Sequence, residues 1–147
     1  MKTLLLLLMV VVGTAASAQD ACARPGSGKT ATKDKHMSPF ACDREALDPA
    51  ARKRHFDELG PQLRDAIVGV RELPDGYEFQ FSPNPATVAK VAEWAAGERL
   101  CCPFFNISLR MDPEHGPLWL RLTGRKGTKA FIQQDGAEWL HHPRVNG

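Results

Sequence analysis

Apolar positions along this chain change period repeatedly after residue 48, and each change marks an element. Phe56, Leu59, Leu63 and Ile67 recur at helical spacing behind Asp48-Pro49, an N-cap followed by proline at the first helical position. The pattern predicts a helix to about Ala66, disturbed at Gly60-Pro61. Val68 to Leu73 and Tyr77 to Phe81 are then extended. In the second of these, Tyr77, Phe79 and Phe81 alternate with Glu78 and Gln80, and the intervening Pro74-Asp75-Gly76 predicts a β-hairpin. Asn84-Pro85 repeats the cap-plus-proline signal, and Val88, Val91, Ala92 and Ala95 form a stripe running toward Cys102. Pro103 ends that helix by pushing the residue before it out of the α region. Phe105, Ile107, Leu109 and Met111 alternate with polar residues as a half-buried strand, and Leu118, Leu120 and Leu122 give the return strand. A turn from Gly124 to Gly127 leads to a short helix ending near Gly136. The order α-ββ-α-ββ-α predicts an α+β domain, a two-layer arrangement with a four-stranded antiparallel sheet and helices on one face. The segment 137–147 follows as a tail.

The start of the chain reads differently. Met1-Lys2, the apolar run from Leu4 to Val12 and Ala16-Ser17-Ala18 have the form of a secretory signal peptide over 1–18, too short in its apolar core to span a bilayer. The expected location is therefore periplasmic or secreted, with no stable membrane insertion after cleavage. Removing 18 of the 147 residues leaves 129, enough for one domain. Residues 19–39 lack periodicity and read as a flexible segment, leaving 40–136 as the globular domain. Ala23-Arg24-Pro25-Gly26-Ser27-Gly28-Lys29-Thr30 fits a loose phosphate-loop pattern, but no buried strand precedes it and no helix starts at Lys29, so no nucleotide is expected. Without Lys2 the 19 basic residues become 18 against 17 acidic ones, which gives no footprint for nucleic acid. Protein partners are left open.

Chemistry concentrates in Glu98-Arg99-Leu100-Cys101-Cys102-Pro103-Phe104-Phe105. Residues three and four apart share a helix face, so Glu98 falls beside both Cys101 and Cys102. Three readings follow. In the first, the cysteine pair binds a soft or borderline ion such as zinc, copper or a heavier thiophilic metal or metalloid, with Glu98, Cys42 and His55 as the further ligands. In the second, the cysteines are staples. Adjacent Cα atoms, about 3.8 Å apart, lie below the usual disulfide range, so Cys42 or Cys22 would be the partners. In the third, one thiol is redox-active and resolved by its neighbour. A carboxylate and a helix C-terminus both raise a thiol pKa, which counts against that activity. Ser-His-Asp spacing, a nucleophile elbow and H-E-x-x-H are missing, so the metal reading is a non-catalytic one.

The same stretch, with Trp119-Leu120-Arg121-Leu122-Thr123-Gly124, resembles a family of small, functionally uncharacterised bacterial proteins carrying E-R-x-C-C-P-F-F and W-L-x-L-T-G. The resemblance spans about residues 40 to 134. It implies one domain and brings no activity with it. Outside it, His115, His141 and His142 read as exposed. Trp119 falls on the strand face opposite Leu118 and Leu120, so partial exposure is expected, and Lys126 and Lys129 suggest either an anion site at a helix start or, equally, a capped solvated turn.

Overall fold

A computed structural model describes residues 38–146; the expected signal peptide, the phosphate-loop-like stretch, Cys22 and most of the 19–39 segment lie outside them. The elements are a 3-10 turn at Arg44–Ala46, α1 (Pro49–Lys53), a π-helical turn (Arg54–Leu59), α2 (Gly60–Ala66), β1 (Gly69–Leu73), β2 (Gly76–Phe81), α3 (Pro85–Cys101), β3 (Phe105–Met111), β4 (Leu118–Gly124), α4 (Thr128–Asp135) and a 3-10 turn at Ala137–Leu140. The strands form one antiparallel sheet in the order β1-β2-β4-β3. This is the α+β architecture that the periodicity predicts.

Register assigns the two faces. Val70, Phe79, Leu120 and Leu109 lie in one cross-strand row, and Tyr77, Leu122 and Ile107 in the next. Apart from Leu109, which is exposed, these rows meet Leu59 and Leu63, Val91 and Trp94 of α3, and Ile132 of α4 in the main apolar core. The opposite face carries Arg71, Glu78 and Arg121 side by side, with both arginines hydrogen-bonding the Glu78 carboxylate at 2.9 Å. Trp119 on this face is 4% exposed rather than half-open. Its indole donates to Asp112, and the Arg71 guanidinium lies 4.3 Å from the ring centroid, so the arginine stems and charges roof it over.

The first helix departs from a uniform α-helix earlier than Gly60-Pro61. Proline has no N–H and its ring crowds the carbonyl four residues back, here Asp57. The chain accommodates this by widening over Arg54–Leu59, and the Gly60 N–H bonds to His55 O five residues behind it. Widening turns His55 toward α3, where its ring stacks on Trp94 at 5.4 Å. Arg54 fastens the same turn to α3 through a two-pronged ion pair with Glu93. Gly97 is what lets the His55 ring lie against α3, because a Cβ there would lie 2.6 Å from His55 Nδ1.

Residues 137–146 pack against the domain. Trp139 lies 4.8 Å from Trp94 and 5.6 Å from Phe79 between ring centroids. Beyond it, Val70 N–H bonds to Pro143 O and Val145 N–H to Val70 O, laying the chain parallel to the outer edge of β1. Lys129 pairs with Glu72, so it is neutralised rather than free to hold an anion.

Replacing a mid-helix glycine by alanine normally stabilises by roughly 0.5–1 kcal/mol. Gly97→Ala should instead destabilise by about 1–3 kcal/mol through collision with His55. The shift in urea midpoint relative to Ala96→Gly, an exposed position on the same helix, measures it.

Candidate functional site

Four segments converge at the C-terminal end of α3. Asn84 caps the helix by accepting from Thr87 N–H, and the helix runs on to Cys101, which keeps Glu98 and Cys101 one turn apart on the inner face. Cys102 leaves helical geometry at φ −126° and ψ 66°, as the following Pro103 requires. The two neighbouring sulfurs therefore diverge. Cys101 turns toward the π-turn, while Cys102 faces the segment before α1.

That segment supplies Cys42, and Cys42 and Cys102 are joined as a disulfide with Cα atoms 4.8 Å apart. Asp43 N–H donates to Cys101 O at 2.7 Å, and Phe40 stands edge-on to Phe104 at 5.2 Å. Residues 38–48 thus form a strap across the helix end. Closing a loop over a 60-residue separation is worth about 4 kcal/mol in the chain-entropy account.

The one thiol left among the described residues, Cys101, is fully buried. Its Sγ lies 3.5 Å from Glu98 Oε2, 4.0 Å from His55 Nε2 and 3.8 Å from Cys102 Sγ. His55 Nε2 and Glu98 Oε2 are 3.0 Å apart, with the two residues 4% and 6% exposed. This is hydrogen-bond distance between the imidazole and the carboxyl group. Burial, reinforced by the charge of Glu98 and its hydrogen bond, pushes the Cys101 thiol up to about 12. A thiol so placed is protonated at neutral pH and is a poor nucleophile at rest, in the direction that a neighbouring carboxylate implies.

All five residues expected from the sequence meet here. His55, Glu98 and Cys101 offer one donor triad, and Cys42, Glu98 and Cys102 another, with donor atoms inside each within 4.8 Å of one another. Around an ion with bonds of 2.0 to 2.3 Å, tetrahedral edges are about 3.3 to 3.8 Å. The separations in the first triad, 3.0, 3.5 and 4.0 Å, bracket that range. The second triad becomes a ligand set only after reduction, because disulfide sulfurs are not thiolates. Missing from the sequence reading are Gly97 and the π-turn; a lone glycine in the alanine-rich run of α3 was the available signal. Also missing is a cavity of about 620 Å³ against which His55, Glu98 and Cys42 lie.

Native Cys101 should react with iodoacetamide at pH 8 on the order of 1,000-fold more slowly than in urea, the ratio set by thiolate fractions, and mass spectrometry of the alkylated peptide measures it. The folded state keeps this proton where the unfolded chain loses it. Stability should therefore fall as pH rises from about 9 toward 12, and Cys101→Ala should flatten that part of a urea-midpoint profile.

No protein-family model, curated protein or solved structure matches this chain, so the geometry of the site carries the functional argument.

Proposed function

We propose that this chain is an exported protein that binds a thiophilic metal or metalloid ion at the end of α3, without catalytic turnover. One observation carries the reading: three buried side chains of different chemistry, His55, Glu98 and Cys101, bring their donor atoms to 3.0 to 4.0 Å of one another, bracketing the edges of a tetrahedral site, with two further sulfurs alongside. In a domain of this size a buried carboxylate, imidazole and thiol are costly without a shared purpose. Their N, O and S donors suit zinc or copper, and reduction of the Cys42–Cys102 bond adds two thiolates that shift the set toward softer ions. Export is supported by the leader-like residues 1–18, and a disulfide fits an oxidising compartment.

A second reading has one specific observation in its favour. The Cys42–Cys102 bond staples the strap, and a purely structural domain would need nothing more of it. The two readings part at Cys101, which a staple leaves without a role.

Titrating the phosphine-reduced protein with Zn²⁺, Cu⁺ or arsenite under anaerobic conditions should load one ion per chain. It should also raise an ultraviolet sulfur-to-metal band, the thiol protons being released to solution with Zn²⁺ and Cu⁺ and leaving as water with arsenite. Cys101→Ser and Cys102→Ser should each weaken binding by about 100-fold, and His55→Gln by about 10-fold. Elemental analysis after gel filtration reads the stoichiometry, and an ion retained equally by Cys101→Ser defeats the proposal.

A further inference from the structure

Beside the buried cluster lies a cavity of about 620 Å³, a volume in the range of pockets that hold small organic molecules. Phe56, Trp94, Phe105, Phe131 and Trp139 contribute its walls. All of these rings but Trp94 are half-buried, so the fold leaves apolar surface open where burial is favourable. One wall position is of another kind. Glu98 lines the same cavity and is 6% exposed. Its Oε2 is engaged by His55 and Cys101, while Oε1 accepts no hydrogen bond among the described residues. Oε1 is not sealed in either: the side-chain polar atoms buried without a partner among the described residues are Arg52 Nε, Arg71 Nε and Thr128 Oγ1. It therefore opens on the cavity, an unpaired acceptor among aromatic rings.

The charges around this acceptor favour a cation. Two arginines line the cavity, and each is engaged, Arg64 with Glu138 and Arg44 with the Phe56 ring, 3.8 Å from its centroid. The other two acids of the lining, Glu98 and Asp135, meet neither arginine nor lysine among the described residues. Aromatic faces add to this, because they carry negative potential and attract a cation within about 6 Å.

We propose that the cavity binds a small organic cation, a protonated amine or amidine on a flat apolar body, with an N–H donating to Glu98 Oε1 and the body among the rings. The inference goes beyond the metal site and does not rest on it, since the ion uses Oε2 and the buried sulfurs while the organic cation uses Oε1 and the open space. The unpaired oxygen calls for an N–H head, because a fully methylated nitrogen has no hydrogen to give it. An anion meets a buried carboxylate here and is excluded by like charge.

The test uses the full chain with its disulfide intact, at low ionic strength, with a chelator and without reductant, so that no metal takes part. Benzylammonium, its neutral isostere benzyl alcohol, the anion benzoate and methylammonium are titrated in turn, followed by calorimetry and by the indole N–H signals in two-dimensional NMR. Benzylammonium should bind about 10-fold more tightly than benzyl alcohol, which lacks the charge, and about 10-fold more tightly than methylammonium, which lacks the ring. The indole signals of Trp94 and Trp139 should move, and that of Trp119, on the other face of the sheet, should stay. Glu98→Gln should abolish the preference over benzyl alcohol. Because that change also touches the bond to His55, Asp135→Lys serves beside it. Asp135 is exposed and ends α4, where a cation suits the helix C-terminus, so the variant keeps its fold and should weaken benzylammonium about 5-fold while sparing benzyl alcohol. Equal binding of benzylammonium and benzyl alcohol overturns the proposal and leaves an unselective apolar cavity. Tighter binding of benzoate overturns it in favour of the arginines. A benzylammonium preference kept in full by both variants, or an equal shift at Trp119, puts the amine elsewhere and overturns it too. Failure of the metal-binding reading shows separately, as missing ion uptake by the reduced protein.

Discussion

The hydrogen bond between His55 and Glu98 is the constraint around which the helical layer is arranged. Taking a carboxylate out of water costs several kcal/mol unless a partner of matching chemistry reaches it. That partner comes from another helix, 43 positions away along the chain. For the imidazole to arrive, the first helix widens by one residue per turn at Arg54–Leu59, and α3 gives up a side chain at Gly97. Trp94 and Phe56 then close around the ring, face-on and edge-on. The cysteine thiol is buried because it shares this enclosure, and its raised pKa is a by-product of that dry, anionic neighbourhood.

The opposite face of the sheet meets a similar demand by other means. Glu78 is also buried, but both of its partners stand in the same cross-strand row, one on each neighbouring strand. Such a row needs no distortion of the backbone, because the pleat already brings alternate residues of adjacent strands together. One buried acid is thus held by regular geometry and the other by an irregularity. Only the second adjoins a thiol and a cavity, and π-turns recur at such places.

Much of this was legible along the chain, and what was not has definite causes. Two proline caps, one Asp-Gly turn and the alternation from Tyr77 to Phe81 are local signals, and local signals located every strand and helix of the sheet layer. Helical spacing likewise joined Glu98 to the cysteines. Which of two adjacent sulfurs would meet Cys42 was not encoded by spacing; it follows from Cys101 being the last helical residue and Cys102 the first outside it. The burial of Trp119 was misread because alternation assigns a face but not its cover, and two arginines supplied that cover. The π-turn was invisible because its cause, Pro61, acts one turn behind itself.

The bond between Cys42 and Cys102 also has an arithmetic consequence. The described domain holds three sulfurs that could pair, an odd number, so oxidation within it ends with one thiol remaining. The odd member is the one walled in beside Glu98 and His55. Among the described residues the sulfur left over is thus the one that burial shields from chance encounters.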